Sequence, residues 1–439
     1  MRKYFIFGFI AAYAAAAPGD VADAARHGQW ARVRTLLAAK ENVKAAHPDG
    51  MTALHLAVQA NQTEIASALL AAGADPNASN RNGITPLWLA ATNGSAAMVR
   101  ALIKAGASAT SKLPHGETAL MTAARTGEPE TIEVLLEAGS DPNAFETSTG
   151  ETALMWAAAE NHPEAIRILI GGGADPNRHA KALDIPPMDW QQVGMVSTVL
   201  PRGGFTALMY AARQNAQNAA QALVQAGADL NAQDPDGATA LQFAIMNQHY
   251  DLAAMLVEKG ANPNTPDRTG MTAIYAAVDM NLFRSEIGRP ARVFNDQHTA
   301  LDVLHLMLQH GGNPNARQIK PAIERHHGFP DGSLGEGATA LMRAAKSVDI
   351  AAMEALLTAG ADPKLGMANG SNPLLLLVAN RVGNGPGAFP AEQLIKAIRM
   401  VAERGANLNA TNARGDAALH IVARSGYNDL VRTLAELGA

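Results

Sequence analysis

The stretch Asp49–Asn77, which reads DGMTALHLAVQANQTEIASALLAAGADPN, decides how this chain folds. Thr52 can cap a helix, because its hydroxyl can accept a hydrogen bond from a free N–H of the first helical turn. Leu54 and Ala57 then share one face of that helix. A second helix is indicated by an apolar stripe of three residues: Ile65, Leu69 and Leu70.

The end of the same stretch predicts a turn after the second helix. Gly73 suits the left-handed position just past a helix, where a side chain would cost free energy. Asp75-Pro76-Asn77 cannot continue a helix and turns the chain into an extended finger. One helix pair of this size cannot bury its own apolar faces, so it must stack on neighbours of the same kind.

Such neighbours recur along the chain, mostly at a period of 33 residues. The opening threonine is found at Thr52, Thr85, Thr118, Thr152, Thr206, Thr239, Thr272 and Thr339. Two degenerate copies have Asn372 and Ala417 in its place. With T-x-L at the front and L-L-x-x-G-A-D-P-N at the back, the unit resembles the ankyrin repeat. The resemblance implies an all-α solenoid of stacked helix-turn-helix units with β-hairpin-like fingers, here of a bacterial, exported type with ten repeats and loop inserts.

The composition of the chain argues against some classes of function. The formal net charge is -5 and no basic stripe is evident, which argues against nucleic acid as the main partner. No cysteine is present, which excludes disulfides and thiolate metal sites. A hydrophobic content of 48% with only 5% aromatic residues fits a helical stack rich in alanine and leucine.

The first 17 residues, Met1–Ala17, have the pattern of a secretory signal peptide. Arg2 and Lys3 precede an apolar run that ends in small residues, and Ala14-Ala15-Ala16 offers a cleavage site that leaves Ala17 first. The run is shorter than the roughly 20 residues of a spanning helix. We therefore expect an exported chain with no membrane span after cleavage, in the periplasm first of all, with full secretion left open.

Breaks in the repeat register define the remaining organisation. We expect the following order: a signal peptide at 1–17, an N-terminal half-repeat cap at 20–47, repeats one to four at 48–177, a finger insert at 178–203, repeats five to seven at 204–315 with an insert at 282–297, a second finger insert at 316–335, and repeats eight to ten at 336–439 with a Gly/Pro-rich insert at 381–390. The Gly/Pro-rich insert is expected to be a flexible linker.

Two regions are candidates for partner binding. In ankyrin-like stacks the finger tips and the first helices form a concave groove. The residue before the threonine and the second residue after the conserved leucine should face that groove, and aromatic residues with a nearby arginine gather there in repeats four to six: Trp156, Phe205, Tyr210, Arg213 and Phe243. Aromatic residues and arginine are the usual anchors of interfaces. The alternative is that these rings fill the helix–helix interface.

The two finger inserts are the second candidate, since loops longer than about 12–15 residues without structure of their own are often functional. The residues of interest there are Met188, Trp190, His326, His327 and Phe329. Tolerated surface insertion is the alternative reading of both loops.

The function that this pattern favours is non-catalytic binding of a protein of unknown identity by a monomeric scaffold, with no cofactor and no catalytic residue. Two alternatives remain open. An enzyme or metal site could be built from the inserts near His326 and His327, although the spacing matches no known ligand pattern. The chain could also be a secreted effector that acts on the proteins of another cell.

Overall fold

The computed structural model describes residues 20–183, 203–281, 295–320, 334–383 and 388–439. Within these ranges 22 helices follow one another in consecutive pairs, with one pair of two-residue strands. The helices are α1 Val21–Arg26, α2 Trp30–Ala38, α3 Ala53–Gln59, α4 Thr63–Ala71, α5 Pro86–Thr92, α6 Ala96–Lys104, α7 Ala119–Thr126, α8 Pro129–Glu137, α9 Ala153–Ala159, α10 Pro163–Gly171, α11 Ala207–Gln214, α12 Gln217–Gln225, α13 Ala240–Met246, α14 Tyr250–Glu258, α15 Ala273–Asn281, α16 Ala300–Gln309, α17 Ala340–Lys346, α18 Ile350–Thr358, α19 Pro373–Val378, α20 Ala391–Glu403, α21 Ala418–Ser425 and α22 Asn428–Glu436, and the strands are β1 Arg381–Val382 and β2 Ala388–Phe389.

These elements form two units. Unit 1 comprises Met1–Ser148 with Gly171–Ala174, and unit 2 comprises Thr149–Ile170 with Asp175–Ala439. In unit 1 the first helices α1, α3, α5 and α7 pack in a row, and α2, α4, α6 and α8 form a second row. In unit 2 the first helices α9, α11, α13, α15, α17, α19 and α21 likewise pack in sequence. The expected all-α repeat architecture is therefore confirmed.

Threonine caps start the first helices as the sequence predicts. The Thr52 hydroxyl accepts a hydrogen bond from the backbone N–H of His55, at the start of α3. Asn372 replaces threonine at α19, where its Oδ1 accepts from the Leu375 N–H at 2.9 Å. Ala417 has no such acceptor, and its own N–H instead donates to His420 Nδ1 at 3.1 Å. An N-cap of this kind stabilises a helix by about 1 kcal/mol.

The apolar residues of the repeat form the core of each unit. In the repeat quoted first, Leu54, Ala57 and Leu69 are completely buried, and Ile65 is nearly so. Leu70 is half-buried, at the edge of this stripe. Gly73 has a φ of 92°, the left-handed conformation that the sequence predicts at that position.

The N-terminal segment, expected to be a half-repeat, contains both helices of a pair. Asp20 takes the role of the missing threonine, since its Oδ1 accepts a hydrogen bond from the Ala22 N–H at 2.8 Å. A finger also follows this pair, because Ala46 and Thr52 form an antiparallel bridge. This pair lacks the T-x-L opening of the other repeats, because an aspartate provides an equivalent cap.

A ladder of asparagine side chains joins successive fingers. Asn264 is typical: its Nδ2 donates to the Gly311 carbonyl oxygen at 3.0 Å, and its Oδ1 accepts from the Asn313 N–H at 2.6 Å. Other asparagines make one or both of these bonds to the next repeat: Asn77, Asn143, Asn177, Asn231 and Asn315. The ladder restores the repeat register even where an insert separates the two partners in sequence.

Two of the inserts extend from the tips of fingers. In regular fingers the hairpin base is closed by one bond, as from the Asp267 N–H to the Met271 carbonyl oxygen at 2.9 Å. The same bond joins Ala180 to Phe205 and Gln318 to Ala338, each at 2.9 Å. The hairpin base is thus kept at both sites, although residues 184–202 and 321–333 between these ends lie outside the described ranges.

After the insert within repeat seven, the chain is attached to helix α14 by two aspartates, one on each side of the contact. Asp296 Oδ2 accepts from the Tyr250 N–H at 2.7 Å, at the start of α14. Asp251 Oδ1 in turn accepts from His298 Nδ1 at 2.7 Å. Partial burial works to raise the pKa of Asp251, but hydrogen bonds from the His298 side chain and from backbone N–H groups of Gln297 and His298 outweigh it and lower that pKa.

The Gly/Pro-rich insert of repeat nine is not wholly a linker. Its described ends form the parallel strand pair β1–β2, with Arg381 opposite Ala388 and Val382 opposite Phe389. The Gly383 N–H also donates to the Phe389 carbonyl oxygen at 2.9 Å. The paired residues are close together in sequence, but composition alone did not indicate that they pair.

Candidate functional site

Four aromatic residues that the sequence singled out lie in unit 2. Trp156 lies on α9, Tyr210 on α11 and Phe243 on α13, while Phe205 directly precedes the cap residue Thr206. We call these four residues the aromatic cluster. Their spacing follows the repeat, because the same position of three successive first helices supplies one ring each.

Phe205 is the centre of the aromatic cluster. Its ring meets that of Phe243 edge to face, with centroids 4.9 Å apart and an interplanar angle of 66°. It meets Tyr210 in a similar way, at 5.5 Å and 74°. Edge-to-face pairs of this kind contribute roughly 0.5–1.5 kcal/mol beyond the burial of area.

Burial divides the aromatic cluster into an inner and an outer part. Phe205, Tyr210 and Phe243 are 2%, 8% and 5% exposed, so these rings mainly pack on one another. Trp156 is half-buried and keeps part of its indole accessible. The alternative that the rings fill the helix–helix interface therefore fits Phe205, Tyr210 and Phe243. Trp156 is the ring that leaves area accessible for a contact.

Glu151 orients both edges of the aromatic cluster. Its Oε2 accepts a hydrogen bond from Trp156 Nε1 at 2.8 Å, and its Oε1 accepts from the Tyr210 hydroxyl at 2.6 Å. One carboxylate thus fixes two aromatic side chains from different repeats. The sequence reasoning did not select Glu151, although it occupies the position before the threonine that Phe205 occupies in the next repeat.

Arg213 lies one helical turn after Tyr210 and covers two of the rings. Its Cζ is 5.5 Å from the ring centroid of Phe205 and also 5.5 Å from that of Tyr210. The side chain is half-buried. Cation–π contacts of this geometry contribute about 0.5–2 kcal/mol, depending on how far water is excluded.

The corresponding positions in unit 1 have a different chemistry. Leu56 and Leu89 occupy the place of Trp156, and both are half-buried aliphatic residues. Thr122 occupies it in the third repeat and is fully buried. Repeats therefore stack without an aromatic residue at this position, and the rings of unit 2 are not a requirement of the fold.

The other predicted site residues lie outside the described ranges: Met188, Trp190, His326, His327 and Phe329. In the part of the chain that the structure describes, no group of three histidine, aspartate or glutamate side chains could hold a metal ion. In that same part, no helix has both the length and the apolar character needed to cross a membrane.

Comparison with known families identifies the repeat. The family model described as ankyrin repeats (three copies) matches residues 21–113, 109–180 and 208–287, which together make up just over half of the chain. A comparison with curated proteins finds none that matches this chain.

Proposed function

The chain belongs to the ankyrin-repeat family, and from that premise we propose that it is a non-catalytic scaffold which binds a partner protein on the first-helix face of unit 2. By the first-helix face we mean the surface that carries Glu151, Trp156 and Arg213. Ankyrin repeats are generally protein-interaction modules and are typically non-catalytic. The family alone names neither the partner nor the surface.

The observation that carries the proposal is the preorganised aromatic cluster with its two charged neighbours. Interface anchors are enriched in Trp, Tyr and Arg, and they work best when water is excluded around them. Glu151 fixes the Trp156 indole, and the buried rings hold Arg213 in place. Because these side chains are already ordered, little conformational entropy is lost when a partner binds.

Affinity capture with matched variants tests this proposal. The purified chain is immobilised and exposed to an extract of the cells that produce it, beside Trp156→Ala and Arg167→Ala. Trp156→Ala removes the accessible ring. Arg167→Ala is the control, because Arg167 lies on α10 with a 55% exposed side chain and pairs with Glu164 of its own helix. We expect one protein that the parent and the control capture equally and that Trp156→Ala loses at least tenfold.

Thermal unfolding of each variant separates binding from folding. Trp156→Ala leaves the buried rings of Phe205 and Phe243 in place, so we expect it to remain folded at the assay temperature. Equal capture by a folded Trp156→Ala variant would exclude the first-helix face as the binding surface. Alanine at Phe205 or Tyr210 is a poorer test, because both residues are buried and their loss would also disturb packing.

We also propose that the mature chain is monomeric and acts outside the cytoplasm, most simply in the periplasm. The support is the pattern of Met1–Ala17, a basic start followed by an apolar run and small residues. N-terminal sequencing of the protein recovered from its producing cells should give Ala17 as the first residue. A recovered chain that still starts at Met1 would contradict export with cleavage.

A further inference from the structure

Arg213 differs from several other arginines of unit 2, because no carboxylate of the described residues lies within ion-pair distance of it. Arg343, on the first helix α17, pairs with Asp279 of the neighbouring first helix α15. Arg268 pairs with Asp236 at 2.7 Å, and Arg399 with Glu436 at 2.8 Å. Among the described residues, Arg213 has two aromatic rings as partners and no acid.

Within the described ranges, the guanidinium N–H groups of Arg213 donate no hydrogen bond, and its partners are the two aromatic rings. A guanidinium carries five N–H donors in one plane, and ring faces satisfy its charge but not these donors. The side chain is half-buried, so its access to water is reduced as well. A cation in this environment gains more from an anionic acceptor than a fully solvated one would, because the local dielectric constant is lower.

The surroundings favour one carboxylate over a phosphate. Phosphate recognition commonly uses a cluster of arginines, and the contacts described here bring one guanidinium to the aromatic cluster. Glu151 belongs to the same surroundings, because it accepts a hydrogen bond from the hydroxyl of Tyr210, whose ring Arg213 covers. A single carboxylate would add less negative charge beside this acid than a dianion or a run of acids would.

We propose that Arg213 binds a single carboxylate of the partner, an aspartate or glutamate side chain that enters beside the accessible face of Trp156. This rests on the proposed function and specifies the chemistry of the partner. Guanidinium and carboxylate match as a planar, bidentate pair. The rings of Phe205 and Tyr210 hold the guanidinium plane in advance, which reduces the entropy lost when the pair forms.

The probe for this proposal is a phage-displayed library of random twelve-residue peptides, selected on the full chain. We expect the selected peptides to share one acidic position next to an apolar or aromatic residue. The consensus peptide is then synthesised in three forms, with the acid, with its amide counterpart, and with phosphoserine at that position. Fluorescence anisotropy gives the Kd of each for the parent, Arg213→Gln, Arg213→Lys, Trp156→Ala and the control Arg167→Gln.

The expected result is a coupled loss. Replacing the peptide acid by its amide should weaken binding to the parent about tenfold or more, and Arg213→Gln should weaken the acidic peptide by a similar factor. The two changes together should cost little more than either alone. Arg213→Lys should restore only part of the affinity, because an ammonium lacks the planar fork. Arg167→Gln should leave every Kd unchanged.

Other outcomes separate the two proposals. Peptides that lose affinity with Trp156→Ala but not with Arg213→Gln would overturn the carboxylate proposal and leave the binding surface intact. Tighter binding of the phosphoserine peptide than of the acidic peptide would also overturn it. Selection of no peptide whose binding depends on Trp156 or Arg213 would overturn both proposals.

Discussion

His55 and Gln242 show how one residue can join two repeats. His55 Nδ1 accepts from the Thr52 N–H at 3.2 Å, and its Nε2 lies 3.0 Å from the Ile84 carbonyl oxygen of the next repeat. Gln242 makes the same bridge with its amide, from the cap residue of its helix to the Met271 carbonyl oxygen at 2.7 Å. Both side chains are completely buried, and only His55 can titrate near neutral pH.

Burial therefore makes His55 a source of acid sensitivity. Desolvation lowers the pKa of His55 below its ordinary value of 6.5, although hydrogen bonds to backbone carbonyls partly oppose this. The unfolded chain takes up a proton as the pH falls through 6.5, whereas the folded chain does so only at lower pH. The free energy of unfolding should accordingly decrease between pH 6.5 and the folded-state pKa, and be unaffected by this group above pH 6.5.

We predict that His55→Gln removes this component of the pH dependence. Glutamine can form both bonds, as Gln242 does, so stability at pH 7.5 should change by less than about 1 kcal/mol. The loss of unfolding free energy between pH 7.5 and 5.0 should be smaller in the variant, by at most about 2 kcal/mol. Urea unfolding at both pH values measures the difference.

His310→Gln is the matched control, because His310 is exposed at the end of α16. The His310→Gln variant should lose as much unfolding free energy as the parent between pH 7.5 and 5.0. If the parent and His55→Gln lose the same free energy on acidification, the neutral, bridging role of His55 is excluded.

Residue-scale features were the most predictable part of the fold, because each depends on a few neighbours in sequence. The cap role of Thr52 and the left-handed Gly73 follow from local geometry alone. Trp156 could be assigned to the first-helix face from its repeat position, but its hydrogen bond to Glu151 could not be predicted. The burial of Phe205 was equally out of reach, since it depends on rings from two other positions.

At the scale of elements, the asparagine ladder explains how repeats separated by an insert remain in register. Asn264 and Gly311 are 47 residues apart, yet their hydrogen bond of 3.0 Å is close in length to the 2.8 Å bond from Asn77 to Gly106, which are 29 residues apart. The second helix of repeat seven is α16, Ala300–Gln309, with Thr299 as its N-cap. The hydrogen bonds of Asp251 and Asp296 that attach this segment to α14 join residues about 46 positions apart, and no local pattern in the sequence indicates them.

Asn264→Ala should destabilise unit 2 by about 1–3 kcal/mol. The substitution removes two hydrogen bonds to the next repeat and leaves the Gly311 carbonyl and the Asn313 N–H without these partners. Asn409→Ala is the control, since Asn409 occupies the same finger position and its side chain makes no hydrogen bond within the described ranges. Chemical denaturation of both variants should show a lower midpoint for Asn264→Ala alone. Equal midpoints would contradict the prediction that the asparagine ladder stabilises the protein.

For the whole molecule, the repeat architecture predicts that the stability of each repeat depends on the repeats stacked directly against it. In unit 2, α18 packs against α16, α17 and α20, whereas α12 packs against α9 and α11. The period of 33 residues predicts that each helix pair packs on its neighbours, but it does not predict this difference between α18 and α12. It did not indicate the division into two units, because the repeat itself continues through residues 148 and 149.

Leu356→Ala should lower stability mainly in the helices around α18. Leu356 is completely buried, and its truncation should cost about 2–5 kcal/mol. In an array with nearest-neighbour coupling, that loss is greatest in the repeats that touch the cavity and declines with distance along the stack. Hydrogen exchange should therefore show the largest loss of amide protection in α16–α20 and the smallest in α9–α12. Leu223→Ala, in the buried core of α12, should give the opposite gradient. If both variants lowered protection equally in every helix of unit 2, the unit would unfold as one cooperative body, and coupling limited to neighbours would be excluded.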